Sequence, residues 1–378
     1  MIYKLSELFD LQMGKTPSRN NASYWNSKEN KWISIGDLSK CDIYISDTKE
    51  YISNLAVLES GIKLIPKNTV IMSFKLSIGK AAITAEDMYS NEAIMAFLDK
   101  NIAPILPEYL CYMFNYMNWE VGTNKAVLGK TLNKATLSEI KIKIHGLNEQ
   151  KIIIKKLNKL KQTISARNKQ LKLYDKLVKS LFVEMFGDKA HILTMNDLCN
   201  IITDGTHQSP KFVSDGIPFL FVSNVSENKI SYDTGKFISI DTYKELYKRT
   251  PIEKYDILLS TVGSYGHPAI VKSNKKILFQ RHIAYLKPKK ELINSIYLHA
   301  AILSDEVQRQ IESKVKGIAQ KTLNLSEIKT LKIPLPSMTE QNIFATIVEK
   351  IDKHKSVVQK SLDETQILFD SLMQKYFG

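Results

Sequence analysis

KTLNKATLSEIKIKI occupies residues 130–144, and KTLNLSEIKTLKIPLP occupies residues 321–336. A single globular core has no reason to carry nearly the same phrase twice, half a chain apart. The match extends outward on both sides. Glu149-Gln150 returns as Glu340-Gln341, and SLFVEMFG ending at Gly187 returns as SLMQKYFG ending at Gly378. Upstream, IPKNTVIMSFKLSIGKAAIT (65–84) aligns with IEKYDILLSTVGSYGHPAIV (252–271). The offset drifts only from 187 to 191 residues, and the order is collinear. The chain therefore reads as two divergent copies of one unit in tandem.

Composition sets the outer bounds. A chain of 378 residues with 44% hydrophobic content can fill two cores. No apolar run approaches the roughly 18 to 20 residues of a membrane span, and MIYKLSELFD lacks the pattern of a signal peptide. Cys41, Cys111 and Cys199 lie far apart and suggest neither a disulfide framework nor a zinc pair. These features fit a cytoplasmic protein with reduced thiols. A net charge of +14 favours a polyanionic partner. Because the excess is mostly lysine, charge alone does not separate function from composition, nor DNA from RNA.

Each copy has two unlike parts. The first mixes short β-type runs (KWISI, NTVIMSF, KAAIT, IPFLFVS, DILLSTV, HPAIVK) with the helically spaced segments PEYLCYMFNYMNWEV and SIYLHAAILSDEVQRQIESKV. This is an α+β domain. The second part, from Glu149 to Phe186, contains no Gly or Pro. Positions at steps of four and three are apolar or aromatic except for one charged member, Arg167: Ile153, Leu157, Leu160, Ile164, Arg167, Leu171, Tyr174, Val178, Leu181. In the second copy the same steps give Phe344, Val348, Ile351, Lys355, Val358, Leu362, Thr365, Phe369, Leu372. That spacing is the seam of a coiled coil. A helix of about 37 residues is roughly 55 Å long, and two such seams in one chain can bury each other. Ser337 and Glu340 have the spacing of a capping box.

The predicted architecture is a tandem repeat of two mixed α/β domains, joined by two long helices that form an antiparallel coiled coil with pseudo-two-fold symmetry. The boundaries are 1–147 and 188–336 for the domains, and 148–187 and 337–378 for the helices. A basic molecule with two related heads suits duplex DNA, which offers equivalent sites about 34 to 36 Å apart.

This pattern resembles the specificity subunit of a type I restriction-modification system. The resemblance rests on the doubled domain, the phrase KTLNLSEIKTLKIPLPSMTEQ before the helix, and the endings SLFVEMFG and SLMQKYFG. The first copy departs from it, since IKIHGLNEQ lacks both prolines. The resemblance implies two target-recognition domains that read a bipartite, asymmetric DNA sequence, with no chemistry and no cofactor in this chain. It implies helices that dock two modification subunits, which carry S-adenosylmethionine and methylate adenine. Restriction subunits driven by ATP can join that complex. A two-headed coiled-coil DNA- or RNA-binding protein outside restriction-modification remains the alternative.

Catalytic signatures are absent from the sequence. Gly14-Lys15-Thr16 lacks the preceding glycine of a phosphate-binding loop, since Phe9 stands at that position. His207, His267 and His282 have no companions at zinc spacing. Candidate DNA contacts lie in the loops. SFKLSIGK (73–80) and STVGSYGH (260–267) share Ser73/Ser260 and Gly79/Gly266 but differ between them. Lys75 and Lys80 in the first copy, and Tyr265, His267 and Arg281 in the second, are the expected readers. The entry loops add Lys15, Arg19, His207 and Lys211, and Lys130 and Lys321 are the expected phosphate contacts. The helices differ in charge: ten basic and two acidic residues over 151–186, five of each over 341–377.

Overall fold

The computed structural model describes residues 1–25, 27–75, 78–119, 132–187, 191–226, 228–317 and 321–378. The chain divides into two compact units. One is Met1–Ala166 with Ser361–Gly378, and the other is Arg167–Lys360.

In the first unit a five-stranded sheet runs in the order Phe9–Met13, Ile94–Asp99, Val70–Ser73, Ala81–Thr84, Tyr44–Ile45. All pairings are antiparallel except the last. In the second unit Cys199–Asp204, Ile283–Pro288, Ile257–Ser260 and Pro268–Ile270 form a sheet in the corresponding order, antiparallel throughout. A three-stranded sheet accompanies each. In the first it is Glu50–Ile52, Asn30–Ile33, Tyr89–Ser90, and in the second Phe237–Ile238, Ile217–Leu220, Leu278–Phe279. Each has one antiparallel and one parallel pairing in matching places. A third correspondence closes each unit: Ile2–Lys4 pairs with Lys141–Lys143, and His191–Thr194 with Lys332–Leu335. The repeat read in the sequence is thus a repeat of sheet topology and strand direction.

The doubled phrase owes its recurrence to the cores. Leu132, Leu137 and Ile142 are buried in the first unit, and Leu323, Ile328 and Ile333 in the second. Asn133 and Asn324 each precede a short helix, Lys134–Glu139 and Leu325–Lys329. The Asn133 side chain accepts from Thr136 N at 2.9 Å, which satisfies a free amide of the first turn. The expected helical run over 295–315 is two helices, Ser295–Ile302 and Asp305–Lys314, with Ser304 capping the second.

The long helices are Leu147–Phe186 and Met338–Phe377, each of 40 residues. No member of the two seams is exposed. In the first unit Ile153 and Leu157 share a cluster with Phe369, Leu372 and Met373. In the second unit Phe182 and Phe186 pack edge-on against Phe344, with ring centroids 5.8 and 5.5 Å apart. The start of one helix meets the end of the other in both places, so they run antiparallel. Lys355, a polar seam residue, forms an ion pair with Asp175 of the facing helix. The Ser337–Glu340 capping box is present, with Ser337 N donating to Glu340 at 3.0 Å and Glu340 N donating to Ser337 Oγ at 3.3 Å. In the first copy Gly146 stands in the place of that serine, and its carbonyl accepts from Gln150 N.

The recurring glutamine fixes each helix to its own unit. Gln150 Nε2 donates to Pro104 O and His145 O, both at 2.9 Å, and its Oε1 accepts from Leu106 N at 2.9 Å. Gln341 Nε2 donates to Leu292 O and Pro336 O, at 3.2 and 3.0 Å, and its Oε1 accepts from Asn294 N at 2.8 Å. Both side chains are fully buried. No helix among the described residues is long and apolar enough to cross a membrane.

Candidate nucleic-acid interface

The loops of the second unit are joined by backbone hydrogen bonds into one rim. Gly263 N donates to Lys321 O at 3.4 Å, and Leu323 N to Thr261 O at 2.9 Å. Thr261 N donates to His282 O at 3.0 Å, and Arg281 N to Thr206 O at 3.0 Å. Lys321, the 261–267 turn, Arg281 and the loop after Gly205 are therefore neighbours, although up to 116 positions separate residues 205 and 321 in the sequence. The 260–267 turn is closed by Gly266 N donating to Ser260 O at 2.8 Å, with Gly266 at φ +78°. A side chain is strained at that angle, so glycine recurs there. Tyr265 packs partly on the core, and the His267 amide donates to Ser260 Oγ at 3.1 Å.

The first unit repeats this frame. Gly79 N donates to Ser73 O at 2.9 Å with Gly79 at φ +91°, and Phe74 N donates to Ala93 O at 3.0 Å. Lys15 N donates to Ser90 O at 2.8 Å, the counterpart of Thr206 N to Phe279 O at 2.9 Å. Gly14 and Gly205 serve the same close approach. A Cβ on Gly14 would run into the carbonyls of Ser90 and Asn91, and one on Gly205 into those of Phe279 and Gln280.

The expected contact residues fall into distinct settings. Lys211 and Arg281 are exposed, with Arg281 Nε 3.4 Å from His282 Nε2. Lys321 is exposed on the rim. His207 Nε2 lies 2.9 Å from Asp204 Oδ2, and Asp204 also pairs with Arg249. Lys15 donates to Ser60 O, and Lys80 to Cys41 O at 2.9 Å. Lys75 stands over the Phe74 ring at 5.4 Å. Arg19 makes a two-pronged ion pair with Glu50, at 2.5 and 3.1 Å, and its guanidinium lies 3.7 Å over the Trp25 ring. Lys130 lies outside the described residues. The structure thus gathers His207, Arg281, Lys321 and the 260–267 turn on one rim, and Lys15, Lys75 and Lys80 on the other, while tying Arg19 to a carboxylate.

The family model described as "Type I restriction modification DNA specificity domain" matches residues 1–173 and again 189–364. The chain belongs to the type I restriction-modification DNA specificity family. Membership makes DNA sequence specificity, rather than catalysis, the role of this specificity subunit. Among its relatives, the EcoBI specificity subunit of Escherichia coli is 25% identical over 68% of this chain and 61% of its own length. The MjaIX specificity subunit of Methanocaldococcus jannaschii is 24% identical over 99% and 91%. The same fold is found in the type I restriction-modification S subunit from M. genitalium, with a TM-score of 0.57 at 15% identity, covering 100% of this chain and 96% of that one.

Two residues of the specificity subunit escaped sequence reasoning. Asp204 holds His207 and is itself paired with Arg249, yet Asp204 and Arg249 lie 45 residues apart with nothing in the spacing to connect them. Among the described residues no group of three or more His, Cys, Asp or Glu side chains is placed to hold a metal ion.

Proposed function

We propose that this subunit reads a bipartite, asymmetric duplex, with residues 1–147 on one half-site and 188–336 on the other. DNA and the other subunits of a type I complex are its partners. The helices 148–187 and 337–378 dock two modification subunits, which bring S-adenosylmethionine, and ATP enters only with restriction subunits. The site of action is the cytoplasm. The observation that carries this reading is the pair of rims. The same backbone hydrogen bonds hold loops whose exposed side chains differ, as two readers with different half-sites require. Phosphates would be met by Lys321 and Lys130, whose position is common to both copies. Base edges would be met by residues that differ between the copies. The test is to replace residues 188–336 with those of a relative and sequence the methylome of a host that expresses the variant with its modification subunit. One half of the methylated motif should change. A change in both halves, or in neither, refutes the modular reading.

A further inference from the structure

The two rims can be matched bond by bond, and the match pairs positions that sequence alignment does not. Five backbone hydrogen bonds correspond. Gly14 N to Ile94 O (3.1 Å) matches Gly205 N to Ile283 O (3.2 Å), and Lys15 N to Ser90 O matches Thr206 N to Phe279 O. Asn91 N to Ile33 O matches Gln280 N to Leu220 O, both 3.0 Å. Phe74 N to Ala93 O matches Thr261 N to His282 O, also both 3.0 Å. Ile94 N to Asn91 O matches Ile283 N to Gln280 O, both 3.1 Å, and closes the same turn. In that turn Asn91 corresponds to Gln280, Ala93 to His282, and Glu92 to Arg281. An acid and a base of opposite charge thus occupy one place in two copies of one frame.

Both side chains are exposed, and neither has an oppositely charged partner among the described residues. That sets them apart from Arg19 and Arg249, which are both paired. Among the described residues Glu92 accepts only from Thr16 Oγ1. A carboxylate at a DNA-facing rim is repelled by phosphates. It gains only where it meets a donor, and in the major groove the donors are exocyclic amino groups. Glutamate accepts from cytosine N4, whereas arginine donates to the O6 and N7 of guanine.

We propose that Glu92 is a specificity-determining residue of the first domain, accepting a hydrogen bond from the amino group of a cytosine, at the place where Arg281 meets a guanine in the second. This rests on the DNA-reading function proposed above. The test uses the full chain assembled with its modification subunit, selecting from duplexes randomised across both half-sites. Wild-type protein should select a cytosine at one position of one half-site. Glu92→Ala, which removes the acceptor, should relax that position alone by roughly 10- to 150-fold, and Glu92→Arg should shift it toward guanine. Thr16→Val should keep the cytosine. Glu92→Ala with every position unchanged, while Arg281→Ala relaxes one, overturns the proposal and leaves DNA reading intact. Loss of the cytosine with Thr16→Val also overturns it, placing the effect in the loop staple. Selection of no sequence by wild type overturns both the proposal and the reading beneath it.

Discussion

Replacing Gln341 with methionine keeps the length of the side chain and removes all of its hydrogen bonding. The Pro336 carbonyl that it satisfies is buried, so its loss carries the full desolvation penalty of about 1 to 3 kcal/mol. The other two partners, Leu292 O and Asn294 N, are only partly buried. Each is worth about 0.5 to 1.5 kcal/mol net. The expected destabilisation of the Arg167–Lys360 unit is therefore about 2 to 6 kcal/mol. Glu340→Ala beside it should cost only about 0.5 to 2 kcal/mol, since it disrupts a solvent-exposed cap. Urea unfolding followed by hydrogen exchange reports the effect, because amides of the 199–335 region then exchange faster than those of the 1–144 region. Gln150→Met should reverse that asymmetry. A loss below about 0.5 kcal/mol for Gln341→Met would refute the argument, and would make the buried glutamine a filler of space rather than a latch.

Phe344→Ala should cost about 3 to 5 kcal/mol, because Phe344 is fully buried against Phe182, Phe186 and Tyr297; calorimetry checks it. Arg281→Ala should lose about 1 to 3 kcal/mol on cognate DNA only, whereas Lys321→Ala should weaken cognate and scrambled duplexes alike and lower the salt slope by about one unit. Titrations at several salt concentrations separate the two. Burial on the helix Ser295–Ile302 pushes the His299 imidazole down to about 4, despite its hydrogen bond to Pro268 O. Its folded-state pKa is below its unfolded value, so stability present above about pH 6.5 is lost as pH falls toward 4. His299→Gln should flatten that part of the pH profile in urea melts, and an unchanged profile would remove His299 as its cause.

The sequence exposed what repeats and hid what converges. The seam from Ile153 to Leu181 was legible because helical spacing writes burial directly into residue order. Ser73/Ser260 and Gly79/Gly266 were legible because a tight turn constrains the residues that form it. Glu92 was not legible, since the copies slip in register between residues 84 and 130 and the aligned blocks pass it by. The fate of Arg19 was equally hidden. Its carboxylate and its indole come from Glu50 and Trp25, and only the folded loop places them around the guanidinium. The role of the recurrent glutamines also needed the structure, because their partners are backbone groups, which have no signature in sequence.

The composition of the first unit has a consequence for the order in which the chain matures. Its core is assembled from Met1–Ala166 together with Ser361–Gly378, with Tyr109 against Phe377 at a ring-centroid distance of 5.3 Å. During synthesis the residues made first must wait, with Tyr109, Tyr112 and Ile153 lacking their partners, until the ribosome has passed residue 377. The second unit, Arg167–Lys360, is contiguous and has all its parts earlier. The usual rule that domains fold from the N-terminus onward as they emerge is therefore broken: the first unit cannot complete its core before the residues translated last have been made. Premature termination near residue 360 would leave the second unit its own segment and strip the first unit of part of its core.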